Sequence, residues 1–126
     1  MVHQYLSEES YWAKNIPLAA VQKSIHHSLC FGVHDGNKQI GFVRVITDIT
    51  TFAYLCDVFI IKNYSRKGLG KWLLQTIHAH PELQGLTRWM LGTKDAHGLY
   101  AQFGWKKFTD EQLHQFMQMH NPNVYS

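Results

Sequence analysis

Apolar and polar positions alternate along this chain with two different periods, and the points where one gives way to the other divide it into elements. Ile40, Phe42, Arg44 and Ile46 alternate with Gly41, Val43 and Val45, which is the two-residue period of a strand over residues 39–46. Residues 29–34 are its expected partner, because Asp35-Gly36-Asn37 between them is a hairpin turn signal. Val21 and Ile25 stand four apart and predict a helix over residues 18–27. Pro17 separates that helix from an earlier helical start. There, Ser7-Glu8-Glu9-Ser10 leads into Tyr11-Trp12-Ala13, supplying a capping hydroxyl and acids for the first turn.

The longest apolar run follows the connection at residues 48–51. Nine of the ten residues 52–61 are apolar or aromatic, which predicts a strand covered on both faces. Asn63-Tyr64-Ser65 ends the run and Gly68 and Gly70 follow. Leu69, Trp72, Leu73, Thr76 and Ile77 then line one side of a helix. It is expected to stop near His80, since Pro81 cannot continue it. Residues 86–91 read as another strand. Asp95 is placed to cap a short helix over residues 96–103, with Gly104 at its left-handed end. Residues 105–108 read as a short strand, and Asp110 is placed to cap a last helix to about Met119. Strands joined by helices imply parallel pairing, and the hairpin adds antiparallel pairing. The predicted fold is therefore α/β with α+β character: a mixed sheet flanked by helices, in a single domain of 126 residues.

Composition narrows the function classes. An apolar fraction of 45% with 17% charged residues is that of a folded globular chain. A net charge of +3 is too mild for a nucleic-acid-binding surface, and the positive charge gathers at Lys62, Arg66, Lys67 and Lys71. That clustering favours a small anionic ligand over a long polyanion. Cys30 and Cys56 have apolar neighbours and read as buried thiols of a reducing compartment. No stretch reaches the ~20 apolar residues of a membrane helix and the N-terminus lacks a leader pattern, so the expected location is cytoplasmic, with no membrane partner. Of the nine histidines, His78 and His80 point to different helix faces, as do His26 and His27. No metal site is expected. Only His97, three residues before Tyr100, shares a face with a residue of interest.

Four cations around two glycines at a strand-to-helix junction carry a specific chemistry. Glycines let backbone N–H groups approach a ligand closely. A helix start adds unpaired donors and partial positive charge. The combination is a cradle for a phosphate-bearing ligand; the alternative is a tight turn with a solvated basic rim.

Ser65-Arg66-Lys67-Gly68-Leu69-Gly70 resembles motif A of the GNAT superfamily of acyl-CoA-dependent N-acyltransferases, Q/R-x-x-G-x-G/A, with Ser65 in the place of the usual Gln or Arg. Residues 95–105, DAHGLYAQFGW, resemble the family's A-x-x-L-Y-x-x-x-G-F element, with Trp105 for Phe. The two motifs come in the family's order with one strand between them. The resemblance spans about residues 29–108 and implies a central, mostly antiparallel sheet. The family's first strand is expected to be short or missing here, and its terminal strand hairpin to be replaced by a helix.

The resemblance implies acetyl-CoA as co-substrate. Backbone amides of Arg66, Lys67, Gly68, Leu69, Gly70 and Lys71 would grip its pyrophosphate, and backbone groups of Val58 and Ile60 would pair with its pantetheine arm. Tyr100 stands where the family often has a general acid for the leaving thiolate, a role open to a phenol of pKa about 10; the alternative is core packing. Asp57 interrupts the apolar strand and needs a partner or a raised pKa. It is the candidate general base or amine-binding group, against the alternative of an ion pair with Arg44 or another cation. The implied activity is N-acetyl transfer to a small amine or peptide amine, in a monomer or homodimer. The rival is a non-catalytic acyl-CoA binding module.

Overall fold

A computed structural model describes residues 1–65 and 67–125. Two compact units form, Met1–Gly92 and Thr93–Ser126. The first holds the sheet, with strands β1 (Leu29–Asp35), β2 (Lys38–Thr47), β3 (Phe52–Ile60) and β4 (Arg88–Met90) in spatial order β1-β2-β3-β4. The first three are antiparallel, and β4 runs parallel to β3. This is the mixed sheet the pattern predicts, mostly antiparallel as the resemblance implies. The β1–β2 turn is two residues long, since Asp35 pairs with Lys38, and Gly36 takes the positive φ of 59° that such a turn demands. Asp48 organises the next turn by accepting from the backbone N–H groups of Thr50, Thr51 and Phe52. With the Thr51 hydroxyl, these bonds hold its carboxyl well below the usual carboxylate range.

The N-terminal helix begins earlier than the sequence suggests. Helix α1 (Val2–Gln4) runs into a π turn over Tyr5–Glu9, so Ser10 closes the helix and does not start one. Its hydroxyl donates to the Leu6 carbonyl at 2.6 Å and accepts from the Ala13 amide at 3.2 Å. Buried Leu6 sets this phase. Among the described residues none before Leu29 lies in a strand, as expected for a missing first strand. Helix α2 (Leu18–His26) buries Val21. Leu6, Ala13 and Val21 pack with Phe42 and Phe59 in one core cluster, which covers one face of the sheet.

Helix α3 (Leu69–His78) serves the other face. Its buried stripe is Leu73, Leu74 and Ile77, while Trp72 and Thr76 are exposed. The expected face is therefore corrected by a partial turn towards the aliphatic residues, and the Thr76 hydroxyl is used internally, on the Trp72 carbonyl. His80 meets the Phe31 ring edge-on at 5.3 Å and His78 lies 4.9 Å from the Trp89 ring. This fixes α3 on the face of Phe31 and, by register, Val43. Burial pushes the His78 pKa down. Strand β4 is shorter than residues 86–91: Thr87 and Arg88 both donate to the Thr51 carbonyl, and the ladder runs only from Arg88 to Met90.

The second unit departs most from expectation. Helix α4 (His97–Ala101) is shorter than predicted and is not capped by Asp95: Ala96 is its N-cap and no side chain caps it, while the Thr93 hydroxyl accepts from the Ala96 amide just before the helix. Gly104 takes its left-handed place, φ 91°. Residues 105–108 form no strand; Trp105 instead packs edge-on to the Tyr100 ring at 5.7 Å. Helix α5 (Asp110–Leu113) is capped by Thr109, not Asp110, in a reciprocal capping box with Gln112. It stops well short of Met119, since residues 109–125 are all exposed and no buried stripe stabilises further turns.

Candidate functional site

Strand β3 has one side without a strand neighbour over most of its length. Strand β4 pairs only with Phe52, Ala53 and Tyr54. From Leu55 to Ile60 no strand among the described residues pairs on that side. The register with β2 also shifts here. Arg44 faces Cys56 and Phe42 faces Phe59, so the single residue Val43 stands against two, Asp57 and Val58. This is a β-bulge, and Asp57 occupies it with φ 52°.

The bulge decides which backbone groups face the open edge. The Thr51 carbonyl accepts from the β4 side, so by alternation Ala53 and Leu55 face that side too. At the other end the Ile61 N–H donates to the Ile40 carbonyl of β2 at 2.8 Å. Counting back, Phe59 faces β2, while Ile60 and Val58 turn N–H and C=O to the open edge. The bulge also switches side chains between faces. Leu55 pairs with Val45 on the α3 face, whereas Phe59 packs in the N-terminal cluster. The predicted two-sided cover of this strand thus exists, each face over a different half.

Of the two sequence readings of Asp57, the ion pair with Arg44 forms. Arg44 Nε lies 2.7 Å from Asp57 Oδ2, with side-chain exposures of 17% and 8%. Trp12 Nε1 donates to the other oxygen, Oδ1, at 2.8 Å, and Arg44 Nη1 donates to the Ser28 hydroxyl. Burial alone would lower the Arg44 pKa, but the Asp57 bond and charge outweigh it and raise it. Cys30 and Cys56 flank Arg44 in register on the two neighbouring strands. Both are free thiols. Two strand spacings of about 4.8 Å put them beyond the ~7 Å reach of a disulfide. Burial pushes the Cys56 thiol up to about 12 against the opposing pull of Arg44.

After β3 a single turn, Lys62–Tyr64, leads to the glycines. The Ser65 hydroxyl donates back to the Lys62 carbonyl at 2.7 Å and tightens this turn. Arg66 lies outside the described residues. Gly68 caps α3 with φ 75° and ψ 6°, and among the described residues nothing beyond its own chain neighbours and helix lies within 4 Å of where a Cβ would stand. The first bond of the helix runs from the Trp72 N–H to the Gly68 carbonyl. The N–H groups of Leu69, Gly70 and Lys71 therefore have no acceptor within the helix. Lys67 and Lys38 place their ammonium groups 5.4 and 5.6 Å from the Tyr64 ring centre. Tyr64 donates to Asp35 at 2.9 Å, which raises its pKa and ties the glycine turn to the β1–β2 hairpin tip.

Residues 26–107, more than half of the chain, match the family model described as "Acetyltransferase (GNAT) domain". The chain belongs to the GNAT acetyltransferase family. A candidate acetyltransferase of Gibberella zeae is 33% identical over 117 residues, covering 76% of this chain. The chain spans 65% of that relative's length. The crystal structure of a candidate GNAT acetyltransferase from Xanthomonas campestris pv. campestris is 46% identical, with a TM-score of 0.93 over 99% of this chain and 87% of that one. A candidate acetyltransferase of Clostridium acetobutylicum, solved with acetyl-CoA, shares the fold at 10% identity, with a TM-score of 0.61 over 81% of this chain and 71% of that one.

Within this GNAT chain, the first unit brings Val58, Ile60 and the residues from Lys67 to Lys71 into one continuous segment. Tyr100 belongs to the second unit, where it is buried, with His97 exposed one turn earlier on α4. Among the described residues no cluster of three His, Cys, Asp or Glu side chains converges on a metal position, and no helix is long and apolar enough to cross a membrane. The bulge and the Trp12 bond to Asp57 were not read from the sequence. The lone acid in an apolar strand was the available signal for the first; nothing local marks the second, which spans 45 residues.

Proposed function

We propose that this GNAT chain transfers an acetyl group from acetyl-CoA to a primary amine of a small molecule or peptide, directly within a ternary complex. One observation carries the reading: the edge of β3 at Val58 and Ile60, which no described strand pairs, leads through a single turn into the N–H groups at the start of α3 that have no acceptor within the helix. An extended arm with amide groups can pair with such an edge as an added strand would. A pyrophosphate suits the donors of Lys67 to Lys71, where the space before Gly68 is open and the helix start favours anions. The acetyl-CoA bound to the Clostridium neighbour supports the choice of donor. In this reading the neutral amine nitrogen bonds to the acetyl carbon as the carbon–sulfur bond breaks, the nitrogen gives up one proton to water, and the departing thiolate takes a proton from Tyr100. Tyr100 is the acid, on the strength of the motif that contains it.

Calorimetric titration tests this. Native protein is expected to bind acetyl-CoA at micromolar concentration and ADP much more weakly. Gly68→Asp, which adds a negative charge at the helix start, is expected to abolish binding, while Gly68→Asn, which tolerates the left-handed backbone, retains most of it. No binding to native protein at millimolar acetyl-CoA overturns the proposal. A second reading, a non-catalytic acyl-CoA binding module, is favoured by one fact: both Asp57 oxygens are already engaged. Release of free thiol from acetyl-CoA over a panel of amines separates the two.

A further inference from the structure

We infer that Asp57 is a positioning residue, whose carboxylate, clamped by Arg44 and Trp12, holds the β3 bulge that turns the Val58 and Ile60 backbone to the open edge. The inference rests on the acyl-CoA reading of that edge and adds a cause for its geometry. A φ of 52° is a conformation that side chains other than Gly, Asn and Asp rarely adopt. Here it is braced from two layers. Arg44 reaches Oδ2 from the neighbouring strand at 2.7 Å, and Trp12 reaches Oδ1 from the N-terminal segment at 2.8 Å. Arg44 is itself held by the Ser28 hydroxyl at 3.2 Å. Two residues on, Phe59 stacks against Tyr5 with ring centres 3.8 Å apart and 9° between planes. The N-terminal layer thus grips β3 on both sides of Val58.

Without the bulge, the alternation of β3 would continue unbroken from Leu55. Asp57 and Phe59 would then present their backbone groups to the open edge, and Val58 and Ile60 would face β2. A one-residue change of phase exchanges the two sets. The clamp also bears on the chemistry. A general base needs a lone pair for the amine proton, and each Asp57 oxygen already accepts a bond from a partly buried donor.

Three variants separate positioning from base catalysis: Asp57→Asn, Asp57→Gly and Asp57→Val. If Asp57 positions, the acetyl-CoA affinity follows both the clamp and the tolerance of the left-handed backbone. The Asn and Gly variants keep kcat within about tenfold, but the Gly variant, with no side chain for Arg44 and Trp12 to hold, raises the acetyl-CoA Kd about tenfold, and the Val variant loses roughly 100-fold in kcat/KM, the scale of a misplacement near 1 Å. The pH–kcat profile keeps its limbs in all folded variants. If Asp57 is the base, all variants lose at least about 100-fold in kcat with unchanged acetyl-CoA affinity, and the acidic limb disappears; that result overturns the inference. Should the Val variant fail to fold, the Asn and Gly variants still decide. Should native protein bind no acetyl-CoA, the reading of the edge fails. The clamp is then judged by amide exchange at Val58 and Ile60. Faster exchange there than at Phe59 and Ile61 in native protein, with that contrast lost in the Gly variant, supports it; protection of Val58 and Ile60 in the native protein overturns it.

Discussion

Gly41→Ala probes the strand pair that carries the proposed site. Gly41 faces Ile60 across the β2–β3 ladder. A Cβ there would stand 2.6 Å from Ile60 Cδ1, 2.8 Å from the Phe59 carbonyl oxygen and 3.2 Å from Val33 Cβ. Ordinary carbon contacts sit near 3.5–4.0 Å. The Ile60 methyl can swing aside for about 1 kcal/mol, but the Phe59 oxygen is backbone and moves only with its strand. Overpacking of this kind costs about 1–3 kcal/mol, and the reduced freedom of the unfolded chain returns about 0.4–1 kcal/mol. A net loss near 2 kcal/mol is expected, read as a fall of roughly 5–10 °C in Tm and a lower urea midpoint at unchanged slope. The displaced strand is the one bearing the open edge, so the acetyl-CoA Kd should rise about tenfold, with kcat less affected. Gly36→Ala is the control: its φ is positive but its surroundings are open, so it should lose about 1 kcal/mol and leave acetyl-CoA binding alone. Native stability in Gly41→Ala would refute the close approach of the two strands, and lost stability with unchanged binding would refute the edge as the ligand site.

Arg44→Met leaves the Asp57 carboxylate buried without its counter-ion, and a loss of about 3 kcal/mol at pH 7 is expected. Urea titration at pH 7 checks this, and a midpoint equal to that of the native protein would contradict it. Tyr100→Phe should keep acetyl-CoA affinity and lower kcat roughly 100-fold, and an unchanged kcat across the pH range would remove the acid assignment.

How much of this was legible in the sequence depends on the range of the contacts involved. The hairpin, α2 and the start of α3 are set by local chemistry. Asp35-Gly36-Asn37 allows a two-residue turn, and Gly68 can adopt the left-handed cap that starts the helix. The caps of α4 and α5 were misplaced for different reasons. Helix α4 starts from Ala96 with no side-chain cap, the Thr93 hydroxyl being spent on the amide of Ala96 itself, whereas Thr109 caps α5 and has Gln112 three residues on to return its bond. In both cases an acid stood nearby and drew the assignment. The long final helix failed for a different reason, since the described residues beyond Leu113 are all exposed and propensity alone does not sustain a helix.

The bulge was hidden by the same feature that made β3 conspicuous. A phase change in a strand shows in a sequence only when one face is polar, because the alternation then stumbles by one residue. In β3 both faces are covered, each over half the strand, so residues on either side of Asp57 are apolar whichever way they point. Asp57 alone broke the run, and its partners explain why an acid is tolerated there. Arg44 neutralises it from a directly neighbouring strand, Trp12 satisfies its second oxygen from the N-terminal layer, and aspartate can take the positive φ that the extra residue imposes. Charge, hydrogen bonding and backbone conformation at one residue thus converge on the geometry that leaves the edge open, and exchanging any one of them should disturb the other two.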